Sequence, residues 1–266
     1  MRDMTQSAKL HRQRREGDGL PVVFLNSLAA DLGMWDEVLA GLPGRAALTW
    51  DMRGHGRSPM TRESGAPEVS AQDLANDVLD LMQAEGIDRA VLCGLSLGGL
   101  VAMAAAEIAP DRVAGLVLAN TAVDFPPASM WQDRRHTALD EGMAGLAEAT
   151  LTRWLTERFR ASHPERSAQI LRMIAATSPE GYAACCAALA GGDGKAALRD
   201  FVGPVLVVAG AHDVSTPVAR AQEIADLAQA AELVTLDAAH LSSVEAGEAF
   251  ASHLDAFLWR VERGRG

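Results

Sequence analysis

The sequence has few basic residues, few cysteines and no long apolar run, and each scarcity excludes a class of protein. Lys and Arg together number 24 against 35 Asp and Glu in 266 residues, which gives a formal net charge of −11. Such a charge repels phosphate backbones and anionic lipids, so we expect neither nucleic-acid binding nor membrane-surface binding. It also disfavours an anionic small substrate unless the binding site is locally positive.

The cysteines and the apolar segments narrow the class further. Cys93, Cys185 and Cys186 cannot all pair within the chain, and their spacing is that of neither metal ligands nor redox motifs. No stretch reaches the roughly 18 apolar residues of a membrane span. The polar N-terminus also lacks the apolar region of a signal peptide. We therefore expect a cytoplasmic protein with reduced, buried cysteines and no metal site.

Short apolar runs alternate with stretches of helical periodicity along most of the chain. The runs show little polar alternation, as is typical of parallel strands covered on both faces. The predicted strands are residues 20–25, 46–50, 90–93, 113–119, 204–209 and 232–236, and the predicted helices include 70–85, 97–108, 218–228 and 244–261. This alternation predicts an α/β fold with a mostly parallel, twisted sheet and helices on both faces.

Residues 124–200 break the alternation, because their pattern is helical and contains no convincing strand. We predict that residues 1–123 and 201–266 form the α/β core. Residues 124–200 would then be a helical lid, inserted over the edge of the sheet where the strands have their carboxyl ends. A length of 266 residues suits one large domain that carries such an insertion.

One motif in the sequence indicates a catalytic function. The pentapeptide Gly94-Leu95-Ser96-Leu97-Gly98 follows a predicted strand and opens a predicted helix. G-x-S-x-G in that context is the nucleophile elbow, a sharp turn that presents a serine hydroxyl. Glycines on both sides remove side chains that would clash in the turn. We therefore predict that Ser96 is a nucleophile at a helix N-terminus, where backbone amides favour an oxyanion.

A serine nucleophile needs a base and an acid that orients the base. Of the seven histidines, only His240 falls in the loop after the last predicted strand, at the same sheet edge as Ser96. Asp213 lies just beyond the preceding strand, so the order Ser96, Asp213, His240 is nucleophile, acid, base. Asp124 is an alternative acid, and Asp213 could instead cap the helix that follows it.

The oxyanion hole requires a backbone amide from the loop that follows the first predicted strand. That loop reads Asn26-Ser27-Leu28-Ala29. We expect the Leu28 N–H to act together with the Leu97 N–H, which follows the nucleophile. Asn26 is a candidate either for bracing this turn or for contacting substrate.

These residues resemble the α/β-hydrolase superfamily and, more narrowly, the 3-oxoadipate enol-lactonases. The resemblance covers most of the chain. Its motifs are N-S-L at 26–28, D-x-R-G-H-G at 51–56, G-L-S-L-G-G at 94–99, A-N-T-A at 119–122, W-x-x-R at 131–134, S-P-E-G-Y at 178–182 and A-A-H-L-S at 238–242. Two departures stand out: Ala29 occupies a position where that family usually has Gly, and 191–194 replaces a more charged stretch.

The resemblance implies hydrolysis of a carboxylated enol-lactone to 3-oxoadipate through an acyl-enzyme, in aromatic catabolism and without a cofactor. A carboxylate entering so acidic a protein needs a cation at contact distance. Arg134 in the lid is the first candidate and Arg135 the second, with Trp131 as a substrate wall. A general short-chain esterase or small-lactone hydrolase is the main alternative. A non-catalytic protein that binds a small molecule is a third.

Overall fold

A seven-stranded sheet forms the centre of the protein, which the computed structural model describes over residues 9–60 and 68–264. The strands are β1 (Arg12–Arg15), β2 (Asp18–Leu25), β3 (Arg45–Trp50), β4 (Ala90–Leu95), β5 (Val113–Ala119), β6 (Val205–Gly210) and β7 (Ala231–Leu236). Their order in the sheet is β1-β3-β2-β4-β5-β6-β7. Every neighbouring pair is parallel except β1 with β3. The predicted mostly parallel sheet is confirmed.

The central strands β4 and β5 are buried along their whole length. Their sequences, AVLCGL and VAGLVLA, contain no polar side chain other than the Cys93 thiol, because helices cover both faces of a parallel sheet. Burial raises the pKa of the Cys93 thiol well above its ordinary value, so this cysteine is a packed, protonated side chain.

Strand β1 was not predicted, because its sequence RQRR has no apolar residue that could signal burial. It lies at the sheet edge, where charged side chains are tolerated and prevent pairing with a further strand. Arg12 forms an ion pair with Glu85, and Arg15 donates to the carbonyl oxygens of Leu39 and Leu42. Polar contacts with the surrounding loops therefore hold this strand in place.

Helices cover both faces of the sheet. They are α1 (Asp36–Ala40), α2 (Ala71–Ala84), α3 (Leu97–Ile108), α4 (Ala128–Glu141), α5 (Ala144–Trp154), α6 (Glu157–Ser162), α7 (Pro164–Ala175), α8 (Pro179–Gly191), α9 (Lys195–Asp200), α10 (Val218–Leu227), α11 (Ser242–Glu245) and α12 (Gly247–Arg263). Helices α2 and α3 pack on each other, as do α1 and α12. In the part of the chain that the structure describes, no helix is long and apolar enough to cross a membrane. Met1–Ala8, on which the signal-peptide prediction partly rests, lie outside it.

The predicted start of α2 is confirmed in atomic detail. Ser70 accepts a hydrogen bond from the Asp73 backbone amide, and the Asp73 carboxylate accepts one from the Ser70 amide in return. This capping box satisfies two amides that the first turn of a helix would otherwise leave without partners.

Six helices, α4 to α9, lie between β5 and β6, in the segment that the sequence predicts as an insertion. Helix α4 packs closely on α8, and α5 on α7. Asp124, where the segment begins, forms ion pairs with Lys195 at the start of α9 and with Arg220 in α10. We propose that residues 124–200 act as the lid of this fold, with their two ends held together beside the sheet.

Parallel pairing of β4, β5, β6 and β7 brings the residues after each strand to one edge of the sheet. Leu95 aligns with Ala119 across β4 and β5, and Gly210 aligns with Leu236 across β6 and β7. The side chains that follow these four strands therefore converge, as carboxyl ends of parallel strands do in open α/β sheets.

Candidate active site

Ser96 occupies a strained turn between β4 and α3. Its backbone has φ 58° and ψ −116°, a conformation that residues other than glycine rarely adopt. A Cβ atom at Gly98 would lie 2.1 Å from the Leu25 carbonyl oxygen, and one at Gly94 would lie 2.1 Å from the Gly98 oxygen. Glycine is thus required on both sides of the turn, as the sequence predicts. The Thr121 hydroxyl donates to the Ser96 carbonyl at 2.7 Å and ties the turn to the residues after β5.

The Asp213 carboxylate and the His240 ring are in direct contact. His240 Nδ1 lies 2.8 Å from Asp213 Oδ2, and both residues are buried. Because Nδ1 is engaged in this way, Nε2 is the ring nitrogen left to exchange a proton with another group. The structure therefore brings together the acid and the base that the order of the motifs predicts.

Asp213 is held as an anion by its surroundings. Burial alone would raise its pKa, but the charge of His240 and hydrogen bonds from His240 and Thr216 outweigh burial and lower the pKa to about 2. Thr216 Oγ1 donates to Oδ2 at 2.6 Å, and the backbone amides of Ser215 and Thr216 donate to Oδ1. Asp213 does not cap the helix that follows it, the alternative role considered above, because Pro217 precedes the first residue of α10 and no side chain caps that helix. Its carboxylate instead orders its own loop through these two amides and contacts the histidine.

Ser96 and His240 both line one cavity of about 240 Å³. Aromatic side chains from α4 and α5, Trp131 and Trp154, form part of its wall, and the Trp154 ring lies 6.3 Å from the His240 ring. The cavity thus combines a hydroxyl and an imidazole with an apolar enclosure, as small-molecule sites commonly do.

Of the two residues predicted for the oxyanion hole, one lines this cavity and the other directly follows Ser96, which lines it. Leu28 lines it, and Leu97 is the first residue of α3. Among the residues that the structure describes, neither amide donates a hydrogen bond to another group. Ala29 has φ 66°, which explains why glycine is usual at this position in the family that the sequence resembles. Here an alanine adopts the left-handed conformation that shapes the loop.

Asn26 is placed away from substrate. It is fully buried, its amide nitrogen donates to the Trp50 carbonyl at 2.7 Å, and its amide oxygen accepts from the Trp35 indole at 2.9 Å. Both ends of the amide are thus used inside the protein, and Asn26 is not among the residues that line the cavity. Its inclusion among substrate contacts is corrected: it braces the turn, the alternative that the sequence left open.

The structure separates the two candidate arginines of α4. Arg134 lines the cavity, with its guanidinium 4.9 Å from the centre of the Trp131 ring. Arg135 instead forms an ion pair with Glu68, away from the cavity. Trp131 is nearly buried and donates its indole N–H to the Phe125 carbonyl at 2.7 Å, so it is part of both the lid packing and the cavity wall.

Among the residues that the structure describes, Asp124, the alternative acid, forms no ion pair with His240. Its carboxylate is paired with Lys195 and Arg220, whose positive charges outweigh a partial burial and lower its pKa. His212, adjacent to Asp213, is exposed and contacts Asp237. Neither residue competes for the roles given to Asp213 and His240.

Asn120 has a central position that the sequence did not reveal. It follows β5 with φ 43° and is buried. Its amide nitrogen donates to Asp213 Oδ2 at 3.0 Å and to the Ala239 carbonyl at 3.1 Å, and its amide oxygen accepts from Ser242 Oγ. One side chain thus joins the loop of the acid to the loop of the base. The A-N-T-A motif contains this residue, but its role depends on contacts 93 or more residues away.

The loop that carries His240 is also bonded to the helical segment. The Glu245 carboxylate accepts from the Ala239 amide at 2.6 Å and from the Thr156 hydroxyl and amide. The Leu241 amide donates to the Trp154 carbonyl at 3.0 Å. The end of α5 and the start of α6 are therefore connected to the residues on either side of the histidine.

Arg153 is a cavity residue that the sequence analysis missed. It lines the same cavity from α5, and Tyr182 lines it from α8. Burial raises the pKa of Tyr182 to about 12, so its hydroxyl remains protonated near neutral pH. No local motif marks Arg153; the nearest signal is its position beside Trp154 in a segment predicted to cover the site.

Comparison with known proteins agrees with this fold. The family described as alpha/beta hydrolase fold matches residues 21–246. The chain is 34% identical to 3-oxoadipate enol-lactonase 2 of Acinetobacter baylyi, over 92% of this chain and 91% of that protein. An enol-lactonase from Burkholderia xenovorans LB400 superposes with a TM-score of 0.89 at 36% identity, covering 94% of this chain and 96% of its own. A malate-bound thermophilic esterase from Thermogutta terrifontis has a TM-score of 0.88 at 29% identity, with 95% and 94% covered.

Proposed function

Since the chain belongs to the α/β-hydrolase family, we propose that it is a serine hydrolase that opens a carboxylated enol-lactone, 3-oxoadipate enol-lactone, to 3-oxoadipate. One observation carries the proposal: the cavity that contains Ser96 and His240 also contains Arg134, a cation suited to a substrate carboxylate. The similarity to two enol-lactonases supports this choice of substrate.

The reaction is an acyl transfer in two steps. Ser96 Oγ attacks the lactone carbonyl carbon while its proton passes to His240 Nε2, and Asp213 stabilises the imidazolium that forms. The oxyanion accepts hydrogen bonds from the Leu28 and Leu97 amides. As the ring C–O bond breaks, the leaving enolate oxygen takes the proton from His240, and the enol then tautomerises to a ketone. Loss of the enol makes ring opening difficult to reverse.

Water completes the cycle. His240 takes a proton from water, whose oxygen attacks the acyl carbon, and the Ser96–acyl bond breaks with return of the proton to Ser96 Oγ. The product carries two carboxylates, one from the substrate and one formed at the serine. No step draws on a group outside the protein and water.

Turnover of the purified protein tests the proposal. We expect kcat/KM for the carboxylated enol-lactone to exceed that for p-nitrophenyl acetate by orders of magnitude, and Ser96→Ala to abolish both activities. Ser162 is an exposed serine of α6 that does not line the cavity, so Ser162→Ala is the matched control and should be fully active. Equal turnover of both substrates would contradict lactonase function.

A general short-chain esterase is the second candidate. The similarity to the Thermogutta terrifontis esterase favours it, since that protein shares the fold over nearly its whole length. It predicts that a neutral ester and a carboxylated lactone are hydrolysed with similar kcat/KM. Ligand binding without any turnover would instead support the non-catalytic alternative.

A further inference from the structure

Two guanidinium groups share the wall of the catalytic cavity. Arg134 belongs to α4 and Arg153 to α5, and these helices pack against each other. Both side chains are half-buried. The proximity has an electrostatic consequence: burial lowers the pKa of Arg153, and the charge of Arg134 lowers it further. Two like charges thus lie side by side where water is limited.

Within the described residues, neither arginine forms an ion pair with a carboxylate. Arg153 donates one hydrogen bond, from Nη2 to the Thr150 hydroxyl at 3.1 Å, and Arg134 lies over the Trp131 ring. A guanidinium has five N–H donors, so most of theirs remain available. Two other arginines of this protein show the contrast: Arg135 pairs with Glu68, and the buried Arg53 pairs with Asp77.

A carboxylate is the ligand whose chemistry suits this arrangement. Burying a charge without a partner is unfavourable, and two adjacent positive charges add mutual repulsion. A single carboxylate has two oxygens and about four acceptor positions, so it can accept from both guanidinium groups at once. Tyr182, whose hydroxyl lies close enough to interact with both arginines, can supply a further donor.

We propose that Arg153 and Arg134 together form one carboxylate-binding subsite, which makes Arg153 a specificity-determining residue of the hydrolase. The subsite receives the carboxylate that does not react, while the scissile carbonyl lies at Ser96. This inference rests on the proposed function, because it assumes a substrate with a free carboxylate. It adds a cation from a second helix, so anion selectivity depends on how α4 and α5 pack.

We expect the subsite to affect substrate binding and not the chemical step. The remote carboxylate has the same charge in the ground state and in the transition state, so its contacts lower KM and leave kcat nearly unchanged. Losing a hydrogen-bonded charged partner typically corresponds to roughly a 10- to 100-fold loss of affinity. We expect Arg153→Met to raise KM for the carboxylated enol-lactone by that factor.

The experiment compares two substrates with one reacting ring. One is the carboxylated enol-lactone, and the other is the enol-lactone with a methyl group in place of the carboxymethyl group. We expect Arg153→Met to lose roughly 10- to 100-fold in kcat/KM on the first substrate and less than 3-fold on the second. Arg153→Lys, which keeps the charge, should recover part of the loss. Arg135→Met, an arginine already paired with Glu68, should behave as the wild type.

The neutral lactone also reports on folding, since its hydrolysis needs the same serine and histidine. An equal loss on both substrates would overturn the proposal, because Arg153 would then support the shape of the cavity. No loss on either substrate would also overturn it and leave Arg134 as the sole contact. A wild-type enzyme that does not prefer the carboxylated lactone would refute the proposed function itself, a result distinct from the other two.

Discussion

Replacing Asn120 provides the sharpest test of what positions Asp213 and His240 relative to each other. Its amide makes three buried hydrogen bonds, to Asp213, to the Ala239 carbonyl and to the Ser242 hydroxyl. Its backbone at φ 43° is tolerated by asparagine and glycine but disfavours alanine. Asn120→Ala removes the hydrogen bonds and adds backbone strain, whereas Asn120→Gly removes the hydrogen bonds alone.

The magnitudes follow from these contacts. Each lost hydrogen bond is worth about 1 kcal/mol, and alanine in the left-handed region costs about 1 to 2 kcal/mol. We therefore expect the free energy of unfolding to fall by about 3 kcal/mol in Asn120→Gly and about 4 to 5 kcal/mol in Asn120→Ala. A misplacement of the catalytic groups by about 1 Å lowers turnover by roughly 100-fold. That loss should appear in kcat for both variants.

Urea denaturation of the three proteins gives the unfolding free energies, and steady-state kinetics on the neutral lactone gives kcat and KM. The difference between the two variants isolates the backbone strain, and the loss they share isolates the hydrogen bonds. A wild-type kcat in Asn120→Gly would refute the idea that this amide positions Asp213 and His240. Equal stability of the two variants would refute the assignment of strain at this residue.

Three further predictions concern single residues, with urea denaturation as the measurement. Ala29→Gly should raise the free energy of unfolding by about 1 kcal/mol, because Ala29 has φ 66°; a decrease would contradict this. Gly98→Ala should lower the free energy of unfolding by about 1 to 3 kcal/mol, because the added Cβ atom would clash with the backbone. Gly191→Ala should raise the free energy of unfolding by about 0.4 to 1 kcal/mol, because a Cβ atom there has no neighbour within 4 Å. The fold lowers the pKa of Asp213 to about 2, so the ionised carboxylate stabilises the folded state. This contribution of about 2 kcal/mol is complete above about pH 4 and is lost as the pH falls toward 2. Asp213→Asn should flatten the pH dependence of the free energy of unfolding between about pH 4 and pH 2, and an unchanged slope would refute the assignment.

Much of the fold could be predicted because its signals are local. Strand β5 lies at residues 113–119 as predicted, since an uninterrupted apolar run is sufficient to identify a buried parallel strand. The candidate nucleophile, acid and base each follow a strand, and parallel pairing brings them to one edge whatever the loops between them do. Strand β1 was missed because it is held by polar contacts that leave no apolar pattern.

The residues proposed to bind substrate were harder to predict, because their positions depend on how the helices rotate and pack. Arg134 and Arg135 are neighbours in sequence, yet one lines the cavity and the other pairs with Glu68. Adjacent side chains on a helix point about 100° apart, so only the packing of α4 decides which one faces the site. Arg153 enters the cavity from another helix, and no motif links it to Arg134.

The hydrogen bonds between the histidine loop and the helical segment limit which parts of this protein can be exchanged with those of another. They join the Glu245 carboxylate to Ala239 and Thr156, and the Leu241 amide to the Trp154 carbonyl. A chimaera that exchanged residues 124–200 for the corresponding segment of another hydrolase would change much of the wall of the cavity. It would also withdraw the Thr156 and Trp154 partners from the loop of His240. Transplanting specificity would therefore require the donor's segment and its histidine loop to be moved as a matched pair.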